Sequence, residues 1–256
     1  MRIPNKSIIV TGAGSGIGEG IALRLAAEGA KVIVNDLNAA GGERVVAAIR
    51  AAGGTANFVQ ADVTRDTDMA RLVQAAVTAF GGLDVMVNNA GWTHVKKPLL
   101  DVSEDEFDRC YAVNVKSIYL SARHAVPVFR AQGKGRGGSL INIASTAGVR
   151  PRPGLTVYNG SKGAAIIMSK SMAAELGPDN VRVNCVNPVF NPDTALSAAF
   201  AGGAVTAEAR QAFVSTIPLG RFSSANDVAN AVLYLASDEA AFISGVNIEV
   251  DGARCV

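Results

Sequence analysis

Cysteine is scarce in this 256-residue chain: Cys110, Cys185 and Cys255 are far apart and odd in number. They match no metal-ligand spacing and suit free thiols in a reducing compartment. Histidine is scarcer still, with only His94 and His124, and no G-x-S-x-G elbow accompanies them. A Ser/His/Asp hydrolase arrangement is thereby excluded. Charge of one sign is missing too. Lys plus Arg number 24 against 22 Asp plus Glu, a net charge of +2 that gives no electrostatic case for nucleic acid. No apolar run reaches the length of a membrane span, and the opening MRIPNKSIIVTGAG lacks the apolar core of a signal peptide. The expectation is a cytoplasmic protein with no membrane partner. No Pro/Gly/Ser-rich linker, repeat or low-complexity segment divides the chain, so one domain is expected over 1–256.

What is present is a regular alternation. Short β-branched runs (SIIVTG, KVIVND, ANFVQAD, LDVMVNNAG, GSLINIAS, VRVNCVNP and NIEVDG) are separated by amphipathic stretches at 16–28, 39–52, 66–80, 104–131, 155–177 and 225–236. Nearly continuous apolar strands between helices predict a parallel sheet covered on both faces. Right-handed crossovers then make an α/β doubly wound fold. The segment 188–215 interrupts the rhythm with about one helix-sized insertion, read as a substrate lid over 189–215.

Directly after the first strand, TGAGSGIGEG spaces Gly12, Gly16 and Gly18 in a way that differs from G-x-G-x-x-G and lacks the ending of a P-loop. Glycines there let the backbone approach an anion, and the helix that follows offers its N–H groups to a pyrophosphate. Asp36 ends the second strand, where a carboxylate can accept both ribose hydroxyls and repel a 2′-phosphate. Leu37 follows it and Ser15 stands in the loop, so no cation is expected nearby and NAD is favoured over NADP. Asp36 is also placed to cap the helix expected from about Ala39. Tyr158 and Lys162 lie four apart, on one face of a helix, and Ser145 ends the fifth strand.

Taken together, these residues resemble the short-chain dehydrogenase/reductase family in its short single-domain branch. The match runs along essentially the whole chain: Thr11 to Gly18, ADV with Asp62, NNAG at 88–91, Asn114, Ser145, Tyr158-x-x-x-Lys162, NP at 187–188 and ISGVNIEVDGA. The resemblance implies a Rossmann fold with a seven-stranded parallel sheet, nicotinamide-dependent alcohol oxidation or carbonyl reduction, and a homotetramer paired through its two long helices. It assigns Tyr158 as general acid/base, Lys162 as its partner, Ser145 as carbonyl-polarising donor and Asn114 as support for a proton-relay water. Cofactor contacts are expected from Gly12, Ser15, Gly16, Ile17, Gly18, Asp36, Leu37, Asp62, Val63, Asn89, Ala90, Gly91, Tyr158, Lys162, Pro188, Val189, Asn191 and Thr194. Around 188–194 the chain departs from the family's P-G-x-x-x-T, so the backbone amide that would hold the carboxamide is assigned to Asn191 or Val189.

A free tyrosine titrates near 10; an ammonium about 4 Å away would favour its phenolate by roughly 4 kcal/mol at an effective dielectric of ~20. His94 is read as a substrate contact or a solvent-facing loop residue, and His124 as packed or capped. Arg150 and Arg152, in GVRPRPG, are read as loop cations held by a proline-rigidified backbone in preference to an anion-recognition pair. The leading expectation is an NAD-dependent dehydrogenase of a secondary alcohol. Alternatives are an NADPH-dependent 3-oxoacyl reductase, a sugar dehydrogenase, a non-catalytic cofactor sensor and a sugar-nucleotide epimerase. Such epimerases usually carry a further carboxyl-terminal substrate domain, and none is expected here.

Overall fold

The computed structural model describes every residue except Lys134, Asp193 and Ala195. Its strands are β1 (Ser7–Val10), β2 (Lys31–Asp36), β3 (Thr55–Gln60), β4 (Val85–Asn88), β5 (Gly138–Ile143), β6 (Val181–Pro188) and β7 (Asn247–Val250). They form one seven-stranded sheet in the order β3-β2-β1-β4-β5-β6-β7, with every neighbouring pair parallel. The sheet carries helices on both faces. Alternation along the strands explains why: Ile8, Val10, Val32 and Val34 point into one apolar cluster, while Ile9 and Ile33 point into the other.

The first cluster is closed by α1 (Gly16–Ala27), α2 (Ala39–Ala51) and α9 (Ala225–Ala236), through residues such as Leu25, Ile49 and Leu233. The second is closed by α3 (Asp66–Phe80) and α5 (Ser117–Ala131), through Leu72, Val126 and Phe129. A further helix, α6 (Thr156–Leu176), packs on the same side, and Ala165 and Ile166 meet Cys185 of β6. None of the described helices is long and apolar enough to cross a membrane.

Two expected elements differ. The long helix foreseen at 104–131 is α4 (Glu104–Tyr111) and α5, joined by a π-helical turn at Ala112–Lys116. Nothing in the apolar periodicity marks that turn. Its cause is tertiary: Asn114 within it bonds to the chain at Trp92 and to Ser161 of α6. Among the described residues, the insertion holds two short helices rather than one, α7 (Ser197–Ala201) and α8 (Ala207–Val214). Gly202, in the left-handed region at φ +82°, ends α7, and the Thr206 hydroxyl caps α8 by accepting from the Ala209 N–H. Asp193 and Ala195, within the lid expected over 189–215, lie outside the described residues.

How α1 meets the sheet sets the geometry of the site, and Gly18 controls that approach. A Cβ at Gly18 would fall 2.2 Å from the Gly12 carbonyl oxygen and 2.4 Å from Asn89 Nδ2. At Gly163, on α6, the nearest atom to such a Cβ is the Gly148 oxygen at 3.8 Å. Gly18→Ala should therefore destabilise by about 1–3 kcal/mol, the usual range for overpacking. Gly163→Ala should be neutral or stabilise by up to about 1 kcal/mol, because helical alanine outperforms glycine. Urea unfolding midpoints check both; a Gly18→Ala midpoint equal to wild type would contradict the tight contact.

Candidate active site

In a parallel sheet whose order reverses, the carboxyl ends of the strands on either side of the reversal leave a crevice. Here the reversal falls between β1 and β4, and the Thr11 hydroxyl fixes its floor. That oxygen accepts from the N–H groups of Asn89 and Ala90, each at 3.0 Å. Asn89 Nδ2 in turn donates to the carbonyls of Thr11 and Gly12. An open cleft runs from this point in both directions, and every residue expected to contact cofactor lines it.

One arm is shaped for a dinucleotide. Ser15 is the N-cap of α1 but its side chain caps nothing, unlike Asn38, Ser103, Thr206 and Ser224 on their helices. The first N–H groups of α1 are thus left for another acceptor, as a pyrophosphate site requires. Gly16 has φ +57°, and a Cβ there would meet nothing nearer than Thr194 at 3.9 Å, so its backbone faces open space. Asp36 closes this arm. Its Oδ2 accepts from the Gly14 N–H at 2.8 Å and its Oδ1 from the Asn38 N–H at 2.9 Å. Asn38, not Asp36, caps α2. Leu37 is exposed beside it, and the Asp62 carboxylate accepts from the amide and hydroxyl of Thr64. One cation does stand close, contrary to the reading of 36–37 alone. Arg44 donates to the Gly14 carbonyl at 3.1 Å, while Glu19 holds it with both oxygens at 2.6 and 2.7 Å. These donors and acceptors fit a bound dinucleotide.

At the centre, Ser145 follows β5, and Tyr158 and Lys162 descend from α6; both of the latter are buried. Ser145 Oγ accepts from the Ala147 N–H at 3.1 Å, which leaves its proton free to be donated elsewhere. Lys162 Nζ donates to the Ile143 carbonyl at 2.9 Å and lies 5.8 Å from the Tyr158 ring centroid. The ammonium is therefore spent on the end of β5 rather than set directly against the phenol. Burial dominates both titrations. It raises the Tyr158 phenol above the ordinary tyrosine value, opposed by the Ser145 hydroxyl, and lowers the Lys162 ammonium to about 8.

Asn114 does not line the cleft. Its Oδ1 accepts from the Trp92 N–H and its Nδ2 donates to the Trp92 carbonyl, both at 2.9 Å, and Nδ2 also reaches Ser161 Oγ. This clasp joins the π-helical turn, the loop after β4 and α6. The Val189 N–H is occupied as well, donating to the Val250 carbonyl of β7 at 3.2 Å, so it cannot serve as the carboxamide anchor. Thr194 Oγ1 donates to the Asn191 carbonyl, and both residues line the cleft beside Pro188.

The other arm held most of what the sequence did not reveal. Trp92, Phe190, Phe200 and Phe213 line it, with Arg109, Arg152 and Arg254. Arg152 is half-buried in the cleft rather than a solvated loop cation, whereas Arg150 does act as a loop tie, donating to the Arg254 carbonyl. The available signal was the four phenylalanines between 190 and 222 in a chain with only nine. His94 is buried, with Nδ1 at 2.9 Å from the Val95 carbonyl oxygen, so the solvent-facing reading fails; it is not among the cleft residues either. His124 is held by Asp66 at 2.9 Å.

Comparison with known proteins converges on one family. The model described as enoyl-(acyl carrier protein) reductase matches residues 12–253. 4-Formylbenzenesulfonate dehydrogenase of Comamonas testosteroni is 49% identical over 254 residues, 99% of each chain. Cyclopentanol dehydrogenase of a Comamonas species is 36% identical over 255 residues, 98% of this chain and 97% of that protein. Among solved structures, 3-ketoacyl-(acyl-carrier-protein) reductase from Brucella melitensis, complexed with NADH, has a TM-score of 0.92 at 40% identity. It covers 99% of this chain and 100% of that one. Likeness of this extent, in sequence and backbone alike, places the chain in the short-chain dehydrogenase/reductase family of oxidoreductases.

Proposed function

We propose that this chain is an NAD-dependent oxidoreductase that interconverts a secondary alcohol and a ketone. The observation that carries the reading is the meeting of Ser145, Tyr158 and Lys162 at the point where the dinucleotide-shaped arm opens into the aromatic one. A bound nicotinamide supplies the hydride acceptor for oxidation and the hydride donor for reduction. Ser145 holds the substrate oxygen with the proton that Ala147 leaves free. Tyr158 gives a proton to that oxygen in reduction and removes it in oxidation. Burial keeps the phenol protonated in the cofactor-free protein, the form suited to donation; oxidation needs the phenolate and should therefore quicken as pH rises. Lys162 anchors α6 on β5 and supplies the positive charge behind the phenol. Asn114, its side chain committed to Trp92 and Ser161, acts as a positioning residue, and any water it supports would meet its main chain. Segment 189–215 covers the substrate within the single domain.

Asp36 supports NAD over NADP, since a 2′-phosphate would face its carboxylate while Glu19 already engages Arg44. A second reading, 3-oxoacyl thioester reduction, is supported by the description of the matched family model and by the Brucella neighbour's title. Tyr119 on α5 and Ile167 on α6 are exposed apolar residues, which supports tetramer assembly through these helices. The free cysteines suit the cytoplasm.

Tyr158→Phe keeps the ring but removes the transferable proton. Turnover in a panel of secondary alcohols, read by NADH absorbance, should fall by roughly 10²–10⁴, with little change in NADH binding. The rise of oxidation rate with pH should also be absent from residual activity. Near-normal turnover would show that the proton comes from elsewhere. For the cofactor, calorimetric dissociation constants should favour NADH over NADPH in the wild type, and Asp36→Ala should narrow the difference. Equal or tighter NADPH binding by the wild type would refute the assignment.

A further inference from the structure

Hydride transfer from a simple alcohol or to its ketone needs nothing beyond the centre of the cleft, yet its far arm carries three guanidinium groups: Arg109 lies over Trp92 at 4.8 Å, and Arg152 and Arg254 gather at Phe213. Arg152 lies over the rings of Phe190 and Phe213, at 5.6 and 5.0 Å to their centroids. Arg254 lies 4.9 Å from the Phe213 centroid, with its Nε donating to Thr216 Oγ1. Among the described residues no carboxylate pairs with either, whereas Arg44, Arg130, Arg136 and Arg221 each close on an aspartate or glutamate. The charges that act on Arg152 are Arg254 and the Tyr158 phenol, and both burial and Arg254 oppose its protonated form. Two cations gathered at one phenylalanine ring, near enough for the charge of Arg254 to oppose that of Arg152, form an unfavourable arrangement that an anionic ligand would relieve.

Between these cations and the phenol the wall is aromatic. Phe200 meets Tyr158 edge-on at 4.9 Å, Phe190 meets Phe200 at 6.1 Å, and Phe190 meets Phe213 at 4.9 Å. Such a surface accepts a flat apolar body through edge and face contacts. The sequence of environments is then proton donor, aromatic wall, paired guanidinium groups.

We propose that the substrate is an aryl alcohol or aryl ketone bearing a carboxylate or sulfonate on the ring position remote from the reacting carbon, with Arg152 and Arg254 holding that oxyanion. This rests on the oxidoreductase reading for the reacting end and on the arginine pair for the other. Guanidinium groups match both oxyanions through paired N–H donors, and the aromatic rings hold them in place.

The test compares 4-(1-hydroxyethyl)benzoate and 4-(1-hydroxyethyl)benzenesulfonate with neutral 1-phenylethanol, using wild type, Arg152→Gln, Arg152→Lys and Arg254→Gln. In the wild type, kcat/KM should favour an anionic substrate by about tenfold to hundredfold, as expected for a charge-assisted contact. Arg152→Gln and Arg254→Gln should each lower that ratio about tenfold, while Arg152→Lys retains part of it. Whichever oxyanion is preferred names the group. Calorimetry of 4-acetylbenzoate and acetophenone with the NAD-saturated protein, a combination that cannot react because both partners are oxidised, should show the same preference in Kd. Anions favoured no more than the neutral parent, or a preference that both glutamine variants retain, would overturn the proposal. Oxidation of phenylethanol without anion preference would refute this inference alone. Tight anion binding without turnover of any alcohol would refute the reaction and leave the anion site standing.

Discussion

A single buried hydrogen bond, from the Lys162 ammonium to the Ile143 carbonyl, fixes the relation of α6 to the end of β5. Ser145 lies two residues beyond that carbonyl and Tyr158 one helical turn before that ammonium, so one contact registers both against the cleft. It is an expensive contact to make, since an ammonium loses its hydration where only one acceptor is supplied. Burial accordingly lowers the Lys162 ammonium to about 8. Because the folded value lies below the unfolded one, this group's contribution to stability is complete above about 10.5, the ordinary lysine value, and is lost as pH falls through about 8. Tyr158 has the opposite sign. Its raised value means that stability from the retained proton is present below about 10 and is lost as pH climbs through the higher folded value. Near neutral pH the Lys162 charge therefore costs stability, while the protonated Tyr158 phenol does not.

The strands were legible because their residues are nearly all apolar and β-branched, and a parallel sheet buries both faces. KVIVND is the observed strand without change, and the glycine loop lies where its spacing put it. Tyr158 and Lys162 share a site because helical periodicity alone requires it. Three features were hidden for a common reason, namely that they depend on contacts distant in sequence. The π-helical turn is imposed by Asn114 binding Trp92 and Ser161, which no local pattern reports. Arg44 reaches Gly14 only because α2 packs beside the loop. Arg152 turns inward because Phe190 and Phe213 arrive from the insertion to stack on it. The Val189 amide was misassigned as an anchor because β7, the last strand, claims it.

The cleft is electrostatically polarised along its length. Asp36 places negative charge at the arm shaped for the adenosine, Lys162 holds positive charge at the centre, and Arg152 and Arg254 gather it at the aromatic end. An anionic substrate group would be drawn to the aromatic end and away from Asp36. The fold supplies the floor of that arrangement, and the insertion supplies its aromatic wall.

The buried Lys162 ammonium, held by the Ile143 carbonyl, sets Ser145 and Tyr158 against one another in the cleft. Isotope labelling of lysine and NMR titration of the cofactor-free protein, with Lys162→Met to assign the resonance, checks this burial. A Lys162 midpoint near 8 is expected, well below the ordinary lysine value. A midpoint at the ordinary value of about 10.4 would show the ammonium to be solvated and the contact with Ile143 to be absent.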